Sequence, residues 1–125
     1  DFFKILSKDG VHSSIYRLFN VYGPGQDFTN MKQGMLSIFI AQAIVSGEIQ
    51  VTGSIERYRD FVFIDDVLSA LLIDSGEPGI EVFNVGNGTS ITVQELCNII
   101  VSKIDEKIKI GRFNSVTPLS IVITL

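Results

Sequence analysis

Cysteine, histidine and excess positive charge are all scarce in this chain. Cys97 is the only cysteine in 125 residues, which excludes an internal disulfide and a cysteine-based zinc cluster. It falls on the apolar face of a predicted helix, so a small buried core residue is expected there rather than a reactive thiol. The one histidine, His12, precedes a strand candidate, with no serine or carboxylate beside it in triad-like context. A solvated loop residue is expected rather than a catalytic one. Ten lysines and arginines face 14 aspartates and glutamates, a formal net charge of −4. Phosphate backbones call for a basic face, so nucleic acid is not expected as a partner. No run of about twenty apolar residues occurs, so no membrane span is expected. No signal peptide is read at the start, and a cytoplasmic setting is the default.

Patterns that carry chemistry are missing too. The sequence has no glycine-rich nucleotide loop near its start, no Tyr-x-x-x-Lys pair, no metal-ligand cluster and no serine-nucleophile elbow. No catalytic residue and no metal site are therefore assigned.

What is present is a core-rich composition, 46% hydrophobic and 19% charged, long enough for one domain. The chain is organised around Arg57-Tyr58-Arg59-Asp60-Phe61-Val62-Phe63-Ile64-Asp65-Asp66-Val67. Residues 61–64 suit a buried strand. Asp65 is the expected N-cap of the helix that follows, with Asp66 in its first turn, where the helix dipole favours negative charge. Gly53 and Ser54 make a turn, and Ile49-Gln50-Val51-Thr52 reads as a partner strand. A polar hairpin is the result, with Arg57 and Arg59 near a strand-to-helix junction able to hold a phosphate. The alternative for Arg59 is an ion pair with Asp60, Asp65 or Glu56 that only holds the hairpin.

Along the chain, residues 1–9 read as the end of a helix stopped at Gly10, and 13–19 as a strand. Helix, glycine turn and strand give the rhythm of an α/β protein with a parallel sheet. Asn20-Val21-Tyr22-Gly23-Pro24-Gly25 is expected as a loop at that strand's end. Ligands of open α/β sheets bind at such an end, while a tight connection with a turn asparagine is the alternative. Residues 35–46 are apolar nearly all round, a helix buried on most sides and stopped by Gly47. A helix from 66 to 75, a turn through Gly76, Pro78 and Gly79, and a strand over 81–85 come next. In the loop Gly86-Asn87-Gly88-Thr89-Ser90 the third glycine and later acidic residue of a dinucleotide fingerprint are missing. Thr92 and Glu95 form a capping box, followed by an amphipathic stripe through Val93, Leu96, Cys97, Ile100, Val101 and Ile104. A short strand over 107–110 closes the pattern. The start without methionine and the uncharged apolar end at 113–125 are read as signs of a piece of a longer protein.

Three segments together resemble the C-terminal part of the extended short-chain dehydrogenase/reductases, the NAD-dependent sugar-nucleotide epimerases and dehydratases. They are Arg17-Leu18-Phe19-Asn20-Val21-Tyr22-Gly23-Pro24-Gly25-Gln26, Arg59-Asp60-Phe61-Val62-Phe63-Ile64-Asp65-Asp66-Val67 and Phe83-Asn84-Val85-Gly86-Asn87-Gly88. The first is most similar to UDP-glucose 4-epimerase-like members. The resemblance implies the C-terminal portion of an extended Rossmann-type fold, with parallel strands plus a small substrate-binding hairpin and helix region. Residues 1–112 would be the substrate-binding part and 113–125 an atypical apolar tail. It implies NAD as cofactor, a UDP-sugar as substrate and a homodimer when full-length. In such enzymes a tyrosine aided by a lysine removes a hydroxyl proton while hydride passes to the nicotinamide. Those residues would precede Asp1, leaving this piece inactive alone. By the resemblance, Asn20 and Arg59 contact the nucleotide's phosphates, Thr52 lies by the uracil, Leu36 lines the nucleotide pocket and Phe19 sits beside the nicotinamide. Met35 and Ser37 stand where many members have asparagine and proline, and the family's later Arg-x-Gly-Asp segment is not recognisable. A sugar-nucleotide dehydratase or reductase of the same family, and a non-catalytic binding module, are the alternatives.

Overall fold

The structure, a computed structural model, describes residues 4–5, 8–30, 32, 34–73 and 79–113. Of the expected opening helix, Lys4, Ile5 and Lys8 are helical and Gly10 is in the turn after it, while 1–3 and 6–7 lie outside the described residues. Strand β1 (Ser13–Leu18) pairs in parallel with β5 (Ile80–Val85), in register from Ser13↔Ile80 to Leu18↔Val85. The Phe19 amide still donates to the Val85 carbonyl at 3.0 Å. One residue later the chain changes neighbour. Asn20–Tyr22, expected as a loop, is a short strand β2 on the edge of β4 (Tyr58–Phe63), with Asn20 opposite Phe61. An apolar strand such as β4 leaves backbone amides that need partners, and β2 supplies them on one side.

Helix α1 (Met35–Ser46) ends at Gly47, whose φ of 66° is the left-handed stop that glycine adopts without strain. Ser37, Phe39, Ala41, Gln42 and Ala43 are buried, but Ile44 and Val45 are 64% and 67% exposed. The helix is therefore covered on most sides through Ala43, and only its last three residues, Ile44 to Ser46, are exposed.

The expected hairpin between 49–52 and the strand after it does not form. Strand β3 (Glu48–Thr52) pairs in parallel with β7 (Lys109–Phe113), and β4 lies between β2 and β6 (Ser90–Thr92). The cause is the connection at 53–57. The Arg57 guanidinium donates to the Thr52 and Ser54 carbonyls and curls the segment. The Ile55 and Arg57 carbonyls then accept the Gln94 and Val93 amides, donors at a helix start that has no partners of its own. The connection thus serves the next helix and diverts β4 from β3.

Helix α2 (Ile64–Leu71) follows β4 without a break. Phe63, not Asp65, occupies the N-cap, and no side chain caps it. Asp65 and Asp66 both fall in the first turn, where the dipole still favours them. The helix ends four residues before the expected 75, and the turn through Gly76 and Pro78 lies outside the described residues. Helix α3 (Val93–Ile104) has the expected capping box: the Glu95 amide donates to Thr92 Oγ1 at 3.1 Å, and the Thr92 amide donates to the Glu95 carboxylate at 2.7 Å. Strand β7 begins two residues later than expected and runs through Phe113, whereas 114–125 lie outside the described residues.

The main core joins α1, α3 and β3 through Phe39, Ile49, Val51, Leu96 and Cys97, with Ile108 just before β7 and Ile110 on it packed alongside. Cys97 is fully buried in it, and burial pushes its thiol pKa up, as a structural cysteine requires. A smaller cluster of Val62, Val67 and Val85 holds α2 against β4 and β5.

Candidate functional site

Strand β4 presents alternate residues to opposite faces, and each face meets a different part of the molecule. Phe61 lines an apolar cavity of about 350 Å³ together with Tyr22, Leu36, Ile91 and Leu96. Arg59 lies two residues before Phe61, on that face, and is opposite Ile91 of β6. Asn20 and Tyr22 share a face of β2 in the same way, and the Tyr22 and Phe63 rings lie 5.4 Å apart. Arg59, Asn20 and Leu36 are thus carried by three elements that meet at this cavity.

Arg59 is half-buried, and its Nη1 donates to the neighbouring Tyr58 carbonyl at 2.7 Å. Among the described residues it makes no ion pair. The ion pair with Asp60, Asp65 or Glu56 is therefore not formed, and the guanidinium keeps most of its donors for another group. A guanidinium without a carboxylate suits a phosphate, although Arg59 stands at the start of β4 and not at its junction with α2 as expected.

The other face carries Asp60 and Val62. The Asp60 carboxylate accepts the Asn87 amide at 2.7 Å and the Gly88 amide at 3.0 Å. Its carbonyl accepts Asn20 Nδ2 at 2.7 Å. Gly86 approaches so closely that a Cβ there would overlap the Phe19 ring and come within 2.9 Å of Asp60 Oδ2. Phe19 itself is 49% exposed. Asp60 was missed as a site residue in the sequence. The available signal was an acidic residue leading into an apolar strand, followed downstream by a Gly-Asn-Gly loop rich in free amides.

Thr52 stands apart from this group. It ends β3, is exposed, and is tied to the start of β4 only through its carbonyl and Arg57. His12 is on the surface with its ring 3.6 Å from Glu81, remote from these loops in the register of β1. No group of three or more metal-ligating side chains occurs among the described residues, and none of their helices is long and apolar enough to cross a membrane.

A strand-end site of this kind, on parallel strands with a Gly-Asn-Gly loop, defines a class, and the chain belongs to it: residues 4–86 match the NAD dependent epimerase/dehydratase family. Over 96 residues the chain is 38% identical to dTDP-4-dehydro-6-deoxyglucose reductase of Escherichia coli, covering 76% of this chain and 30% of that protein. Over 91 residues it is 36% identical to dTDP-L-rhamnose 4-epimerase of Burkholderia thailandensis, covering 71% and 25%. Among solved structures it is similar to UDP-glucose 4-epimerase with UDP-glucose from Thermotoga maritima, with a TM-score of 0.69, 32% identity, and coverage of 84% of this chain and 34% of that one. The chain spans about a quarter to a third of the length of these relatives.

Proposed function

We propose that this chain is the nucleotide-sugar-binding portion of an NAD-dependent sugar-nucleotide epimerase similar to UDP-glucose 4-epimerase. The observation that carries the reading is Arg59, half-buried and without a carboxylate partner among the described residues, on the cavity-bearing face of β4. In this reading its guanidinium holds the diphosphate, Asn20 supports the phosphates with its remaining amide hydrogen, and Leu36 flanks the nucleotide at the mouth of the apolar cavity. Thr52 lies by the base. The family and the relative solved with UDP-glucose support the substrate class.

NAD, when bound, accepts and returns the hydride. Of the residues here, Phe19 fits that role as a flank: its exposed ring, backed by Gly86, offers a flat apolar surface to an aromatic ring. The glycine loop and the tyrosine–lysine pair belong, in this reading, to the part of the protein outside this chain. The segment 1–112 is the substrate-binding part and 113–125 a tail of separate origin. The full-length enzyme of this reading is a cytoplasmic homodimer.

A reductase is the second reading, favoured by the 38% identity to the Escherichia coli dTDP-4-dehydro-6-deoxyglucose reductase. The two separate in one experiment on the full-length protein. Interconversion of UDP-glucose and UDP-galactose with NAD supports the epimerase. Reduction of dTDP-4-dehydro-6-deoxyglucose by a reduced nicotinamide, with no interconversion, replaces it with the reductase.

A further inference from the structure

Strand β2 and the turn after β5 come from distant parts of the sequence, and one residue touches both. Asp60 accepts the Asn20 side-chain amide on its carbonyl and the Asn87 and Gly88 amides on its carboxylate. Hydrogen bonds to an ionised acceptor are the stronger kind, and a carboxylate taking two adjacent amides fixes the orientation of a turn as well as its distance. The turn it holds begins at Gly86, which packs against Phe19 too closely for any side chain. Arg59 and Asp60 are neighbours on β4 and so point to opposite faces, one toward the cavity side and the other toward the turn.

We infer that Asp60 is a positioning residue for the nucleotide-sugar site: its carboxylate fixes the Gly86–Asn87–Gly88 turn and its carbonyl aims Asn20, so the turn and β2 keep one register with Arg59. The inference rests on the nucleotide-diphosphate reading for its ligand, and on the hydrogen bonds alone for its geometry.

The test is Asp60→Asn in the full-length protein. The side-chain amide retains one acceptor but sets an N–H against a backbone N–H, while the backbone carbonyl still holds Asn20. Amide hydrogen exchange at Asn87 and Gly88 is expected to quicken by about tenfold, with Val93 and Gln94 unchanged as internal controls. UDP affinity, read by calorimetry, is expected to fall by about tenfold with little change in melting temperature. Electrostatics alone acts in the opposite sense, because removing a negative charge near an anion site should tighten UDP binding. Tighter or unchanged UDP binding, in a protein whose Arg59→Ala variant binds UDP more weakly, overturns the inference. Unchanged exchange at Asn87 and Gly88 overturns it as well. If the unaltered protein does not bind UDP, the nucleotide reading fails. Faster exchange then still supports Asp60 as the residue that sets the turn, and unchanged exchange removes it.

Discussion

The two hydrophobic clusters divide the chain unequally. The larger one buries Phe39, Ala43, Ile49, Val51, Val93, Leu96, Cys97, Ile100 and Ile108 between helices and strands that face each other. The smaller one buries Val62, Val67 and Val85, and its helix leaves Leu68, Leu71 and Leu72 exposed, the last at 85%. One region closes over its own core, and the other is a thin layer with an open outer face. Strand β4 runs along the seam, with Phe61 packed on the larger cluster and Val62 inside the smaller. Arg59 and Asp60 stand at the start of that strand. The site is thus anchored by the firm region and faces the loops of the open one, which is how a rigid element usually carries ligand contacts.

The same substitution made in each region puts this contrast at risk. Val51→Ala, in the closed core, should cost about 2–3 kcal/mol, because the surrounding side chains cannot collapse into the space. Val67→Ala, beside the open face, should cost about 1–2 kcal/mol, nearer to the transfer cost of the lost methyl groups alone. Urea unfolding of the two variants measures the difference, and equal losses would erase the distinction between the clusters. Smaller again is Thr92→Ala, which removes half of the capping box from α3 and should cost about 0.5–2 kcal/mol in the same assay.

The smallest effect is one of pH. The Glu95 carboxyl is held below its ordinary value of 4.5 by hydrogen bonds from the Thr92 amide and then the Thr92 hydroxyl. A depressed folded value contributes stability that is present above the ordinary value and lost as pH falls through the folded one. The first turn of α3 should therefore loosen below about pH 4.5, and Thr92→Ala should blunt the change. Far-UV circular dichroism across the acid range reads both.

Local signals explain what was legible in the sequence. The capping box of α3 and the glycine stop of α1 depend on residues within one turn of each other, so Thr92, Glu95 and Gly47 disclosed them. Pairing depends on residues far apart. The turn at Gly53 and Ser54 looked like a hairpin because nothing nearby reveals that the Ile55 and Arg57 carbonyls are claimed by the start of α3. Asn20 looked like a loop residue because β2 is three residues long and is a strand only by virtue of β4. Asp65 has the chemistry of a cap but lies two positions too late, since Phe63 leads straight into the helix. Of the expected site residues, Leu36 lines the apolar cavity, Asn20 and Arg59 stand on the strands that give it Tyr22 and Phe61, Phe19 lies on the opposite side against Gly86, and Thr52 ends a separate strand. Asp60 was legible as a member of the motif and not as its hub, because its partners lie 27 and 28 residues away.

The account turns on Arg59 as a diphosphate-binding group supplied by the seam. Calorimetric titration of UDP into the full-length protein and its Arg59→Ala variant, with melting temperatures alongside, tests this most directly. Loss of a charge-assisted contact of about 1.5–3 kcal/mol predicts affinity weaker by roughly ten- to a hundredfold, with the melting temperature held. Equal UDP affinity in the two proteins, or a weakening that unfolding fully accounts for, would contradict it.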